Sequence, residues 1–182
     1  MKSIITATLL FLNFLFILSC DNKSQTDSQN TSEDTASYIS EEPAKAYEPK
    51  TIDPSAPVME LNLEAQGNSM DVMTFSMREI SVKNGTTVKI NFRNTARDAA
   101  MKHNFFIVKN GTIESVAMAS NAAGPDKDFI PEDKSNLLYT SKLLEPGQSE
   151  ELVFAAPPVG TYQFVCTYPG HWQSMNGKFI VE

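Results

Sequence analysis

The sequence predicts an all-β domain, a Greek-key β-sandwich or barrel, on three observations. From about Val58 onward, short apolar runs alternate with polar residues at a period of two, the pattern of half-buried strands. Turn signals punctuate these runs at short intervals: Asn84-Gly85, Asn110-Gly111, Pro146-Gly147 and Pro157-Pro158. The stretch from residue 58 to 182 is about 125 residues, enough for one hydrophobic core and too little for two.

Taken in order, Met59, Leu61 and Leu63 alternate with polar residues and mark a first strand. Phe75, Ile80 and Val82 mark the next extended pieces. Asn84-Gly85 reads as a hairpin-type turn into Val88-Lys89-Ile90-Asn91-Phe92, again of period two. Asn104 to Val108 is denser in apolar residues, as expected of a strand buried on both faces. Asn110-Gly111 turns the chain into a stretch that breaks the rhythm. Ile113 to Pro131 is rich in Ala, Asn and Met and is interrupted by Gly124-Pro125, which predicts a short helix around Ser115 to Ala122 inside a long excursion. Leu152 and Phe154, then Tyr162, Phe164 and Cys166, alternate once more, and Phe179 and Val181 belong to a closing strand.

The residues before this domain have a different character. Residues 1–19 read as a secretory signal, with Lys2 as the positive head and a mostly apolar run from Ile4 to Leu18. The run ends Ile17-Leu18-Ser19-Cys20, which resembles a bacterial lipoprotein signal, cut before Cys20 with lipid on its sulfur. An ordinary signal peptide and a retained helical anchor are the alternatives, and all three export the rest of the chain. Residues 20–57 are polar and hold Pro43, Pro49, Pro54 and Pro57, so they are expected to form a disordered, extended linker to the anchor. The formal charge is −7, and residues 20–57 carry 8 acidic and 3 basic side chains against 14 and 11 in residues 58–182. The domain itself is nearly balanced, and nothing in it suggests nucleic-acid binding, which wants a basic patch.

The chemistry gathers on Cys166-Thr167-Tyr168-Pro169-Gly170-His171-Trp172-Gln173-Ser174-Met175, with His103 far upstream. Cys20 and Cys166 are the only cysteines and His103 and His171 the only histidines. With Cys20 lipidated, Cys166 has no disulfide partner, and a lone thiol in an oxidising compartment is better explained as a metal ligand. Pro169-Gly170 makes a tight turn that brings His171 back over the thiolate, and Met175 comes beneath it three residues after Trp172. Two imidazoles, a thiolate and a weak thioether suit one copper ion in a blue-copper electron-transfer site: His103, Cys166 and His171 as strong donors, Met175 as axial donor. Zinc is the competing metal, although a thioether is a poor ligand for it.

Met101-Lys102-His103-Asn104, Ala117-Met118-Ala119-Ser120, Asp126-Lys127-Asp128-Phe129 and the Cys-Thr-Tyr-Pro-Gly-His-x3-Met loop together resemble azurin, across nearly all of residues 58–182. The resemblance implies a cupredoxin barrel of about eight strands with a type 1 copper site. It implies exchange of single electrons with redox proteins such as c-type cytochromes or terminal reductases and oxidases. It makes Asn104, Thr167 and Tyr168 the residues around the ligands, with the Asn104 amide donating to the Cys166 sulfur and its side chain tying the two ligand segments together. Tyr168 stands where azurins usually have Phe, and Lys102 where they have Gly. It also implies an apolar docking patch at the exposed edge of His171, here Ala100, Met101, Met118, Pro169 and Trp172. The expected protein is a monomeric, non-enzymatic electron carrier, exported and held at a bacterial membrane by lipid on Cys20, with its domain in the periplasm. The alternative is a copper-binding or delivery lipoprotein without a redox role.

Overall fold

The computed structural model describes residues 46–182. The signal segment, Cys20 and most of the linker lie outside the described residues. Among the described residues, nine strands and one α-helix run in the order β1 (Val58–Gln66), β2 (Thr74–Phe75), β3 (Glu79–Val82), β4 (Thr87–Asn94), β5 (Phe106–Lys109), α1 (Ile113–Ala123), β6 (Leu137–Thr140), β7 (Ser149–Ala155), β8 (Gly160–Val165) and β9 (Asn176–Val181). With β2 only two residues long, the expected count of about eight strands holds.

The strands form two mixed sheets, ordered β2-β1-β4-β7 and β3-β9-β8-β5-β6. β1 pairs parallel to β4, and β3 parallel to β9; the remaining ladders are antiparallel. This corrects the reading of Asn84-Gly85 as a hairpin turn. Gly85 does take a positive φ of 79°, but β3 and β4 belong to different sheets, so the turn carries the chain across the sandwich. A turn sequence specifies a reversal of direction; which strands then pair is decided by the apolar faces they bury.

Alternation delivers the core as expected. Leu61, Leu63 and Ala65 of β1 and Val88, Ile90 and Phe92 of β4 point inward, where Phe75, Phe92, Phe105 and Phe164 meet with ring centroids 5.5–6.2 Å apart. Burying each such ring contributes roughly 1.5–3 kcal/mol. β5 is buried on both faces: Ile107 faces this core, while Phe106 and Val108 join Val116, Leu137 and Val165 in a second cluster under α1. The helix starts two residues before the expected Ser115 and ends at Gly124, whose φ of 77° breaks it. No helix among the described residues is long and apolar enough to cross a membrane.

The linker expectation needs one correction. Composition alone leaves residues 46–57 unpacked, but Tyr47 is half-buried against the core beside Tyr139. Its apolar ring, isolated in a polar stretch, finds a groove that the composition of the stretch does not reveal.

Candidate metal centre

Three separate pieces of chain converge at one end of the sandwich. His103 sits between β4 and β5 in a two-way bridge with Leu144: its N–H donates to Leu144 O at 3.1 Å, and Leu144 N–H donates to His103 O at 2.8 Å. Cys166 comes directly after β8. The loop beyond it folds back through Pro169-Gly170, with Gly170 at φ 82°, and His171 N–H donates to Tyr168 O at 3.0 Å. Met175 N–H then donates to His171 O at 2.8 Å, and Cys166 N–H to Met175 O at 2.9 Å, which closes the loop on itself.

The donor atoms face one another. Cys166 Sγ lies 3.8 Å from His103 Nδ1 and 3.6 Å from His171 Nδ1, and the two Nδ1 atoms are 3.2 Å apart. Metal bonds of about 2.0 Å to imidazole and about 2.3 Å to thiolate place nitrogens roughly 3.3–3.5 Å apart and nitrogen and sulfur roughly 3.5–3.7 Å apart, within about 0.1 Å of these distances. His103, Cys166, His171 and Met175 are all buried. A buried ring of lone pairs at this spacing fits a cation, and the soft sulfur with two imidazoles fits copper.

Electrostatics agree. Burial pushes His103 down to about 3, helped by the neighbouring His171, and pushes His171 down to about 4. Both imidazoles are therefore neutral at physiological pH, the form that binds metal. Burial drives the Cys166 thiol up to about 12, against the backbone N–H groups of Asn104 and Tyr168, which donate to its sulfur. Without a metal the thiol keeps its proton; a bound cation is what makes it a thiolate.

The surroundings hold this geometry. Asn104 Nδ2 donates to Thr167 Oγ1 at 2.8 Å, and Thr167 N–H donates to Asn104 Oδ1 at 2.7 Å, a reciprocal pair that ties the two ligand segments together. The Tyr168 ring sits 4.9 Å from the His171 ring and meets Phe129 edge to face at 5.4 Å. Phe129 and its neighbour Asp128 both have positive φ, 59° and 51°, costly for non-glycine residues and found where surrounding structure enforces them. His103 Nε2 is buried and has no partner among the described residues, so the orientation of this ring rests on packing and the Leu144 bridge.

Several contributors were not anticipated. Buried Asn94 donates through Nδ2 to Met101 O at 2.8 Å and Leu144 O at 3.1 Å, bracing both sides of the His103 bridge. Lys102 pairs with Glu145 at 2.7 Å across the same bridge. Arg78 donates to Ser174 O at 2.8 Å and Asn176 O at 3.2 Å, fastening the end of the ligand loop. The Met70 methyl packs against Gly170, at 2.9 Å from where a Cβ would stand. Of these, Asn94 left a mark in the sequence, as a polar residue continuing the inward alternation of β4, and Lys102 stood out beside the ligand His103, though its partner Glu145 did not.

The expected docking patch needs correction: His171, expected to show an edge at the surface, is only 1% exposed beneath its loop, and the patch residues do not all share one surface. Met118, Pro169 and Trp172 line one shallow hollow with Ala117, Thr167 and Gly170, and Met118 is 57% exposed. Ala100 is exposed as well. Met101 is a correction: at 4% exposure it is a core residue, because the alternation that buries His103 also turns this side chain inward. Trp172 is half-buried and packs on the second cluster, so it supports the loop as well as lining the hollow.

Comparison with known proteins agrees with this site. Residues 61–182 match the model for copper binding proteins of the plastocyanin/azurin family. The chain is 38% identical over 118 residues to auracyanin-A of Chloroflexus aurantiacus, a stretch covering 64% of this chain and 72% of that one. It is 30% identical over 122 residues to outer membrane protein H.8 of Neisseria gonorrhoeae, covering 64% of this chain and 66% of that protein. Among solved structures, auracyanin A, described as a "blue" copper protein from Chloroflexus aurantiacus, superimposes with a TM-score of 0.62 at 35% identity, covering 69% of this chain and 99% of that one. A two-sheet sandwich with a buried Cys-His-His cluster at one end, matched by that model over most of its length, defines the class: this chain belongs to the plastocyanin/azurin family of copper-binding proteins.

Proposed function

We propose that this protein is a one-electron carrier, in which His103, Cys166 and His171 would be the strong ligands of a single copper ion and Met175 a weak fourth one. The observation that carries the reading is the convergence of three buried donor atoms, 3.2–3.8 Å apart, in a cage braced from both sides. Bound copper would supply a Cu(I)/Cu(II) couple, in which the Met175 thioether is a donor too weak to hold the oxidised form strongly, so the reduced form is readily reached. The residues supply rigidity. The Asn104–Thr167 pair, the Leu144 bridge and the closed ligand loop leave the donors little room to move, which keeps reorganisation small when the charge changes. Burial of all four residues leaves no position for a substrate and argues against an enzyme.

The hollow beside His171, lined by Met118, Pro169 and Trp172, is the docking surface of this reading. A small apolar surface suits brief encounters, because electron-transfer complexes bury little area. Suitable partners are c-type cytochromes and terminal reductases or oxidases. The lipoprotein-like Cys20, and the resemblance to a protein named for the outer membrane, support an exported domain held at a membrane by lipid. On this reading residues 1–19 are a removed signal and residues from 20 onward a linker to the domain. A copper-delivery role is the second reading; it needs a site that releases its metal readily, and buried ligands on a self-closed loop oppose that.

The test is stopped-flow mixing of the copper(II)-loaded protein with a reduced c-type cytochrome. Bleaching of the protein's blue colour in step with cytochrome oxidation, one electron per molecule, is the expected result. Transfer of the copper to a chelator at the same rate as any bleaching would favour delivery.

A further inference from the structure

The last part of the segment before β1 belongs to the fold. Tyr139 donates through its hydroxyl to Ala155 O at 2.8 Å, and Tyr47 Oη lies 3.1 Å from Tyr139 Oη, so Tyr47 is the donor to Tyr139. The two rings meet edge to face at 5.7 Å, and Tyr139 stacks on Phe154 at 4.0 Å. Tyr139 is on β6 and Ala155 on β7, which are edge strands of different sheets. This run of contacts therefore crosses a seam between the sheets. Pro49 enters the same groove beside Ile130 and Leu137. Further on, Asp53 Oδ1 accepts from Ser55 N–H at 2.8 Å and Ser55 Oγ at 2.7 Å, and Thr87 N–H donates to Pro57 O at 2.8 Å, handing the chain to β1. All of this precedes residue 61, where the family match begins.

Its position is as informative as its packing. Along the β4–β7 ladder, Arg93 pairs with Ser149 at one end and Thr87 with Ala155 at the other. The Arg93 end adjoins Asn94, which braces the His103 bridge. Lys50, Thr51, Asp53 and Ala56 border Thr87, Ala155 and Ala156, at the opposite end.

We propose that residues 46–57 are a strap, keyed by Tyr47 into the β6–β7 seam, that unfolds with the domain and clasps its two sheets from the end opposite the metal cluster, where residues 50–56 lie. The strap does not depend on the electron-carrier reading.

Limited trypsin digestion of the full chain tests the strap, because Lys50 lies within it and Lys23 well before it. The Lys50–Thr51 bond should be cut about 10-fold or more slowly than the bond after Lys23, because cleavage must wait for local opening. Tyr47→Ala should bring the two rates together and lower the thermal midpoint by about 3–6 °C, with Tyr47→Phe in between. In NMR spectra of the copper(II) form, amide signals of residues 169–175 should vanish by paramagnetic broadening while those of residues 47–57 persist. Equal cleavage at Lys50 and Lys23 in the unaltered chain would overturn the strap, and broadening that reaches residues 47–57 would overturn its placement. A chain that takes up no copper would count against the carrier reading, and the trypsin pattern would still decide the strap.

Discussion

Asn104 shows how little covalent material holds the two halves of the site together. One side chain exchanges two hydrogen bonds with Thr167, and its backbone N–H donates to the Cys166 sulfur. Asn104→Ala keeps the backbone donor and removes the tie, so the His103 segment can drift from the ligand loop. Copper affinity should fall about 10–100-fold in a chelator competition, the usual cost of losing a group that orients ligands. Met175 acts differently. Met175→Leu withdraws a weak donor while the three strong donors remain, so cyclic voltammetry should find the blue colour kept and the reduction potential raised. The ligands were legible in the sequence because their residue types are scarce: two His and one cysteine besides Cys20 leave few combinations. Met70 and Arg78 were not, because they act through packing or through backbone carbonyls, and neither needs a distinctive residue type or spacing.

At the scale of elements, period-two alternation located β1, β4 and β8 well, and a dense apolar run located β5, because burial on one face or both is written directly into residue order. Pairing was not legible. The Asn84-Gly85 turn joins β3 to β4 in different sheets, and the parallel β1–β4 and β3–β9 pairs unite strands far apart in the chain. Local signals say where a strand ends; the neighbour it takes depends on the whole core. Gly177, at the start of β9 just after the ligand loop, illustrates such a non-local constraint. A Cβ there would run into Phe164 Cζ and stand 2.5 Å from Arg78 O, so its smallness is set by the packing of β8 and by the backbone of the arginine that fastens the loop. Gly177→Ala should destabilise the fold by about 1–3 kcal/mol in urea titrations, the range for overpacking, with metal geometry disturbed as well. Gly85→Ala makes a useful contrast: no atom lies within 4 Å of its Cβ, so its cost comes from the positive φ alone.

For the molecule as a whole, the buried ligands make stability without metal depend on pH. His103 and His171 stay neutral in the folded chain down to about 3 and about 4, whereas in the unfolded chain they protonate near 6.5. As pH drops below 6.5, the unfolded chain binds protons that the folded chain refuses, so stability falls, by up to about 1.4 kcal/mol per pH unit for each histidine. The loss stops only at the folded-state values. On the alkaline side, the unfolded Cys166 thiol ionises from about 9 while the folded one holds its proton to about 12, so stability falls there too. Urea midpoints of the metal-free protein should therefore trace a plateau near neutral pH that declines on both sides. A midpoint unchanged on acidification through 6.5 would show that the histidines are not buried as a pair. Bound copper competes with these protons, so the acid limb should move to lower pH in the loaded protein.

The carrier role turns on His103, Cys166 and His171 closing around one copper ion through a thiolate bond. Titration of the purified chain with copper(II), monitored together by visible absorption and electron paramagnetic resonance, tests it most directly. An intense blue thiolate-to-copper band that saturates at one copper per chain, and is absent from Cys166→Ala, is the predicted result. A colourless adduct, or a band that survives the loss of Cys166, would contradict it.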